Sequence, residues 1–115
     1  MTKKWNNKET EELMRAILAL ENIDEAKRFF RDLLTESELL EFANRWQAAQ
    51  MLENDIPYTT ISQKTGLSST TIARISKWLN GRLDGYKLII NRLDLHHRNS
   101  SELRKGLYFS KAAKE

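Results

Sequence analysis

Four consecutive hydroxyl residues, Ser68 to Thr71, stand just before an arginine and a lysine, Arg74 and Lys77, at helical spacing. Side chains this small let a helix approach a surface closely, and they bond base edges, phosphates or bridging water. A guanidinium and an ammonium on the same helix supply the charge that a polyanion neutralises. Ile72 and Ile75 fall at the spacing that buries one helical face, which leaves the small and cationic residues on the other. The chemistry on offer is recognition. Nothing in the chain supports catalysis: no Ser-His-Asp candidate, no Gly-rich phosphate loop and no carboxylate pair in a recognisable motif.

A helix that reads a surface needs a support. Ile61, Leu67, Ile72 and Ile75 have the spacing of two short helices that share a small core across a tight turn. Ser62 is small where the helices cross, and Gly66 supplies the left-handed backbone of a sharp turn. This is the helix-turn-helix pattern, placed at about 58–80, whose second helix lies in the major groove of DNA. The candidate DNA-binding residues are Tyr58 and Thr59 at the start of the first helix, with Ser68, Ser69, Thr70, Ala73, Arg74 and Lys77 on the second.

Periodicity predicts further helices on the N-terminal side and one after the pair, with no alternating strand pattern. The first has Leu13, Met14, Ile17, Leu18 and Leu20 on one face, behind Glu9, Glu11 and Glu12. Asp24 is the expected N-cap of the second, which carries Phe29, Phe30 and Leu33. Thr35-Glu36-Ser37-Glu38 matches a capping box and opens a third helix with Leu39, Phe42, Ala43, Trp46, Ala49 and Met51 in its pattern. Pro57 suits the first position of the next helix, Ser68 or Ser69 caps the one after, and Asn80-Gly81 stops it. A last helix is expected over Asp84 to His96, with Tyr86, Leu88, Ile89, Ile90 and Leu93 inward. The fold class is all-α. The domain is expected over 1–98, followed by a basic, partly disordered tail over 99–115.

With 115 residues, 4 Gly, 1 Pro and no Cys, the chain is one domain by length, helical by composition and free of disulfides and thiolate metal sites. His96 and His97 are adjacent, so on a helix they diverge by about 100°, and no metal site is expected. No apolar run follows the N-terminal lysines, and none reaches membrane-spanning length. The expected location is the cytoplasm. Residues 1–57 hold 8 Lys/Arg against 12 Asp/Glu, and residues 58–115 hold 11 against 4, so net charges of −4 and +7 face each other along the chain. That asymmetry points to a polyanion as the partner of the second half.

From about Phe29 to Asn80 the chain resembles the Trp repressor family, in particular its branch of short homologues of the YerC/YecD type. LLTESELLEFANRWQAAQML and TTISQKTGLSSTTIARISKWLN carry the resemblance. It implies a six-helix, intertwined homodimer whose two reading heads bind double-stranded DNA and regulate transcription, as a rule by repression. It also implies an effector site, onto which Thr35, Arg45 and Arg74 can be carried over. The family holds tryptophan between two arginines at the positions of Arg45 and Arg74, and the residue after the second is a glycine where this chain has Ile75. Trp78 stands near the pocket in place of a small hydroxyl residue. Tight binding of free tryptophan is therefore not expected. No cofactor is expected, and the identity of any small-molecule effector stays open. A second functional class competes with the regulator: a protein-interaction adaptor built on the helical dimer, with only non-specific DNA affinity. Sequence-dependent, salt-stable duplex binding separates the two.

Overall fold

The computed structural model describes residues 4–95, and all regular structure among them is helical. The elements are α1 (Lys8–Leu18), α2 (Ile23–Leu33), α3 (Glu36–Glu53), α4 (Tyr58–Thr65) and α5 (Ser69–Leu79). A sixth helix, α6, runs over 85–95. His96, His97 and the basic tail lie outside the described residues. Two compact units are present, one ending at Phe42 and the next starting at Ala43.

Each helix of the first unit begins on a side-chain cap that satisfies backbone donors with no partner inside the helix. Asn7 Oδ1 accepts from the Thr10 amide at 2.9 Å, while Thr10 Oγ1 accepts from the Asn7 amide at 2.9 Å. The cap of α2 is Asn22, which accepts from the Glu25 amide at 2.9 Å. The expectation of Asp24 is corrected by two residues: Asp24 already lies in the first turn, where its charge faces the positive end of the helix. The third box forms as expected, with the Glu38 amide donating to Thr35 Oγ1 at 3.2 Å and the Thr35 amide donating to Glu38 Oε1 at 2.9 Å.

The apolar faces of this unit are not buried within one chain. Leu18 is 83% exposed and Ile23 74%, with Met14, Leu33, Leu40 and Phe42 also open. Phe29 and Phe30 meet edge to face at 5.5 Å and are only partly covered. The periodicity of α1 and α2 is therefore real, but a single chain supplies no core for it.

The second unit has one core. Ala48 and Ala49 of α3, Ile61 of α4, Ile72, Ile75 and Leu79 of α5, and Ile90 of α6 form a single buried cluster. Trp46, Met51, Leu52, Ile56, Leu67 and Tyr86 pack around it. In α3 Ala49 is buried as expected and Ala48 joins it, whereas Phe42 and Ala43, also expected inward, are exposed. Two alanines let neighbouring backbones come close where longer side chains would hold them apart. Of the α6 residues expected inward, Tyr86 and Ile90 join the core, whereas Leu88, Ile89 and Leu93 are open. That helix starts one residue later than expected, after Asp84, whose positive φ of 62° marks a sharp turn.

Pro57 is also one position off. It sits before the first turn of α4 with an extended ψ of 149°, and the Ile61 amide bonds its carbonyl at 3.1 Å. Gly66 ends α4 at φ 77°, and its amide donates to the Ser62 carbonyl at 2.8 Å. A Cβ on Gly66 would meet nothing within 4 Å, so the position is reserved for glycine by backbone strain alone. Gly66→Ala is expected to lower stability by about 1–2 kcal/mol, with no change in the packed core. Urea denaturation of the two proteins checks this, and equal midpoints would remove the strain argument.

Candidate nucleic-acid interface

Hydrogen bonds that run across the turn fix the angle between α4 and α5. Ser62 Oγ donates to the Leu67 carbonyl at 2.8 Å. The buried Thr65 hydroxyl donates to the Ile61 carbonyl at 2.7 Å and accepts from the Leu67 amide at 3.2 Å. A buried hydroxyl without such partners would be costly, so the turn has little freedom to open. Ser68 then caps α5, accepting from the Thr71 amide at 3.1 Å and donating to Thr71 Oγ1 at 3.1 Å.

From this support α5 presents two different faces. Ile72, Ile75 and Leu79 are at most 4% exposed. Ser69, Thr70, Ala73, Arg74 and Lys77 are exposed and lie together on the opposite side. Tyr58 and Thr59 are exposed at the start of α4. The eight residues read from the sequence thus lie on α4, α5 and the cap between them, on a single rigid pair of helices. Ser68 differs from the rest, because its proton and one lone pair are engaged with Thr71.

The electrostatics of this pair differ from those of the N-terminal helices. The first turns of α1, α2 and α3 each contain acidic residues, and those of α4 and α5 contain none. The positive ends of α4 and α5 are thus left open to an external anion. Between Asp55 and Asp84 the sequence has Lys64, Arg74, Lys77 and Arg82 and no carboxylate. This acid-free run is legible in the sequence as a signal and adds Lys64, exposed at the end of α4, to the cations of the reading head.

Of the residues carried over as an effector site, Thr35 lies in the first unit, where its hydroxyl serves the α3 cap. Arg45 is half-buried on α3, and Arg74 is exposed on α5. Ile75 is fully buried. On the α3 side Trp46 stacks on Tyr86 with ring centroids 6.3 Å apart and planes 26° from parallel. Burial pushes the Tyr86 hydroxyl above its ordinary 10.0, and the positive charge of Arg45 draws it partly back. Trp78, half-exposed, lines a cavity of about 480 Å³ with Gly81, Leu83 and Tyr86, among others. Among the described residues no group of three or more His, Cys, Asp or Glu could hold a metal ion, and no helix is long and apolar enough to cross a membrane.

An all-α chain whose one packed core carries an exposed, acid-free helix pair is a helix-turn-helix protein. It belongs to the Trp repressor protein family, whose model matches residues 8–94. It is 36% identical over 98 residues to the "Uncharacterized protein YerC" of Bacillus subtilis (strain 168), covering 85% of this chain and 94% of that one. A crystal structure of a TrpR-like protein from Eubacterium eligens ATCC 27750 is 40% identical, covers 79% of this chain and 94% of its own, and superposes with a TM-score of 0.75. A second solved structure, from Staphylococcus aureus, is 34% identical, covers 81% of this chain and 96% of its own, and has a TM-score of 0.74.

The place of Tyr86 has a measurable consequence. The folded chain holds this phenol neutral more firmly than the unfolded chain does. Its contribution to stability is complete below pH 10.0 and is lost as the pH rises through the folded-state value. Tyrosinate absorbance, recorded as the difference between the native chain and Tyr86→Phe, is expected to show a midpoint above 10.0. A midpoint at or below that value would mean that burial of the phenol does not outweigh the charge of Arg45.

Proposed function

We propose that the chain is a sequence-specific, DNA-binding transcriptional regulator, a repressor by mode of action, that acts as a homodimer and reads the major groove with α5. The observation that carries this is the exposed face of α5: small residues and two cations set directly opposite Ile72, Ile75 and Leu79. Ser69, Thr70 and Ala73 permit close approach to base edges, and Arg74 has the donor geometry for a bidentate contact with guanine. Lys77, Lys64 and the open amides at the starts of α4 and α5, beside Tyr58 and Thr59, suit phosphates, which fix the register of the helix without reading sequence. Family membership supports the same reading.

The homodimer is supported by the exposed apolar faces of α1, α2 and the start of α3, and by Leu88, Ile89 and Leu93 of α6. Patches of that kind are costly in water and mark surfaces that another chain covers. The adaptor alternative draws on the same surfaces, so DNA specificity decides between the two. The reducing interior of the cell is the setting in which both partners, duplex DNA and a second copy, are met.

Selection of bound duplexes from a random library at physiological salt tests the proposal. A two-fold symmetric site with half-sites about one helical turn apart is expected. Purely salt-labile, sequence-blind binding would replace the regulator with the adaptor. Ser69→Glu with Thr70→Glu, both exposed and outside the cap, is expected to abolish specific binding in a folded protein. Arg74→Ala should relax preference at one base position. Lys77→Ala should instead weaken all duplexes alike and flatten the slope of log affinity against log salt by about 0.9 for each phosphate it no longer neutralises. Unchanged affinity in a folded double-Glu variant would remove α5 from the groove.

A further inference from the structure

At the junction of α5 and α6 the second unit has a cavity of about 480 Å³, walled by Trp78, Gly81, Arg82, Leu83, Gly85 and Tyr86. These side chains suit an aromatic ring: an indole, a phenol and a leucine, with a guanidinium able to lie over a π face. Gly81 and Gly85 leave bare backbone in the wall, and a Cβ on Gly85 would meet nothing within 4 Å, so the space above it is open. Trp78 is 46% exposed and Leu83 74%, an apolar surface left open among the described residues.

The chain itself carries a segment of matching chemistry. Beyond residue 95 the sequence has 20 further residues, and Leu107-Tyr108-Phe109 is the one place there with three apolar residues in a row. Arg104 and Lys105 precede this run, and Lys111 follows it. The cavity lies at the start of α6 and the segment departs from its end, so the chain must return along about 16 Å of helix. Twelve residues separate 95 from 107; extended they reach about 40 Å, and a random coil of that length spans roughly 20 Å. Tether and distance match, the condition under which a linked group has its highest effective concentration at a site. A weak apolar contact then suffices.

We infer that Leu107–Phe109 of the same chain seats in this cavity against Trp78 and Tyr86, and that docking holds Arg104, Lys105 and Lys111 beside the end of α5 as a phosphate-binding patch. Each of these cations stands within three residues of the apolar run, so no more than about 10 Å of chain separates it from the docked rings. Lys77, exposed near the end of α5, and Arg82 in the cavity wall extend the patch towards the reading face. The patch rests on the DNA-reading role proposed above, whereas the docking does not.

The chain has no Cys, so Ser110→Cys in the full chain gives one attachment point for a spin label beside the segment. Amides of residues 81–86 should lose most of their NMR intensity. They should recover it in the triple variant Leu107→Ser, Tyr108→Ser, Phe109→Ser, which leaves the core of the second unit untouched. Gly85→Leu, which fills the cavity from its wall, should release the segment as well. Broadening that is absent, or that survives the triple variant, would overturn the docking. Spin-labelled chains mixed with isotope-labelled, spin-free ones test the other occupant: stronger broadening in the mixture than within one chain would assign the cavity to a second copy. For the patch, the triple variant keeps every charge of the native chain, yet its slope of log affinity against log salt on duplex DNA should be flatter by about 0.9 for each phosphate released. Equal slopes would remove the patch, and the spin label would still decide the docking. If the native chain shows no sequence preference, the regulator falls, while the label and the slope on random duplex still decide docking and patch.

Discussion

The buried contact between α4 and α5 is the constraint on which the rest of the second unit depends. Ile61 meets Ile72 and Ile75 across a turn that only a left-handed residue can make, and Gly66 supplies it. Each of these isoleucines, fully buried, contributes about 1.5–3 kcal/mol. Without that core, α4 and α5 would be two short helices, too short to hold their shape alone in water. The hydroxyls of Ser62 and Thr65 are spent on the same turn, bonding Leu67 and Ile61. Polar and apolar parts of the turn thus fix one crossing geometry, and every outward residue of α5 inherits its direction from it.

The charge layout follows from the same division. In α1, α2 and α3, acids occupy the first turns and offset the helix dipole. In α4 and α5 that local stabilisation is absent, and the run from Lys64 to Arg82 is wholly cationic among its charged residues. These two helices give up a few tenths of a kcal/mol each in dipole compensation. The packed core offsets that loss, and their open ends stay receptive to an anion.

Local chemistry explains which features are readable in the amino-acid sequence alone. The Thr35–Glu38 box, Gly66, the Ser68 cap and the isoleucine seam are each determined by residues a few positions apart, and all four form as expected. The departures have physical causes as well. Asn22 and Asp24 both precede the apolar pattern of α2, and the choice of cap turns on which backbone amide a side chain can reach. Phe42, Leu88, Ile89 and Leu93 follow the helical period, but period does not say whether the covering partner lies in the same chain. The candidate DNA-binding face is legible because it needs only one helix and its support. The effector residues are not, because Thr35, Arg45 and Arg74 come from distant elements and only a resemblance links them.

The make-up of the reading face bears on how specificity arises on the proposed reading. A serine, a threonine and an alanine offer at most single hydrogen bonds or a methyl contact, and Arg74 is the exposed side chain of α5 whose planar fork of donors suits a bidentate bond to a base edge. A good bidentate contact discriminates by about 1–3 kcal/mol, short of the roughly 4–10 kcal/mol that separates specific from non-specific binding. One reading head therefore falls short by itself. Shape readout, bridging water and a second copy of the same head must supply the difference. In the proposed homodimer, the exposed apolar faces of the first unit would be the surface that brings a second weak reader to the same site.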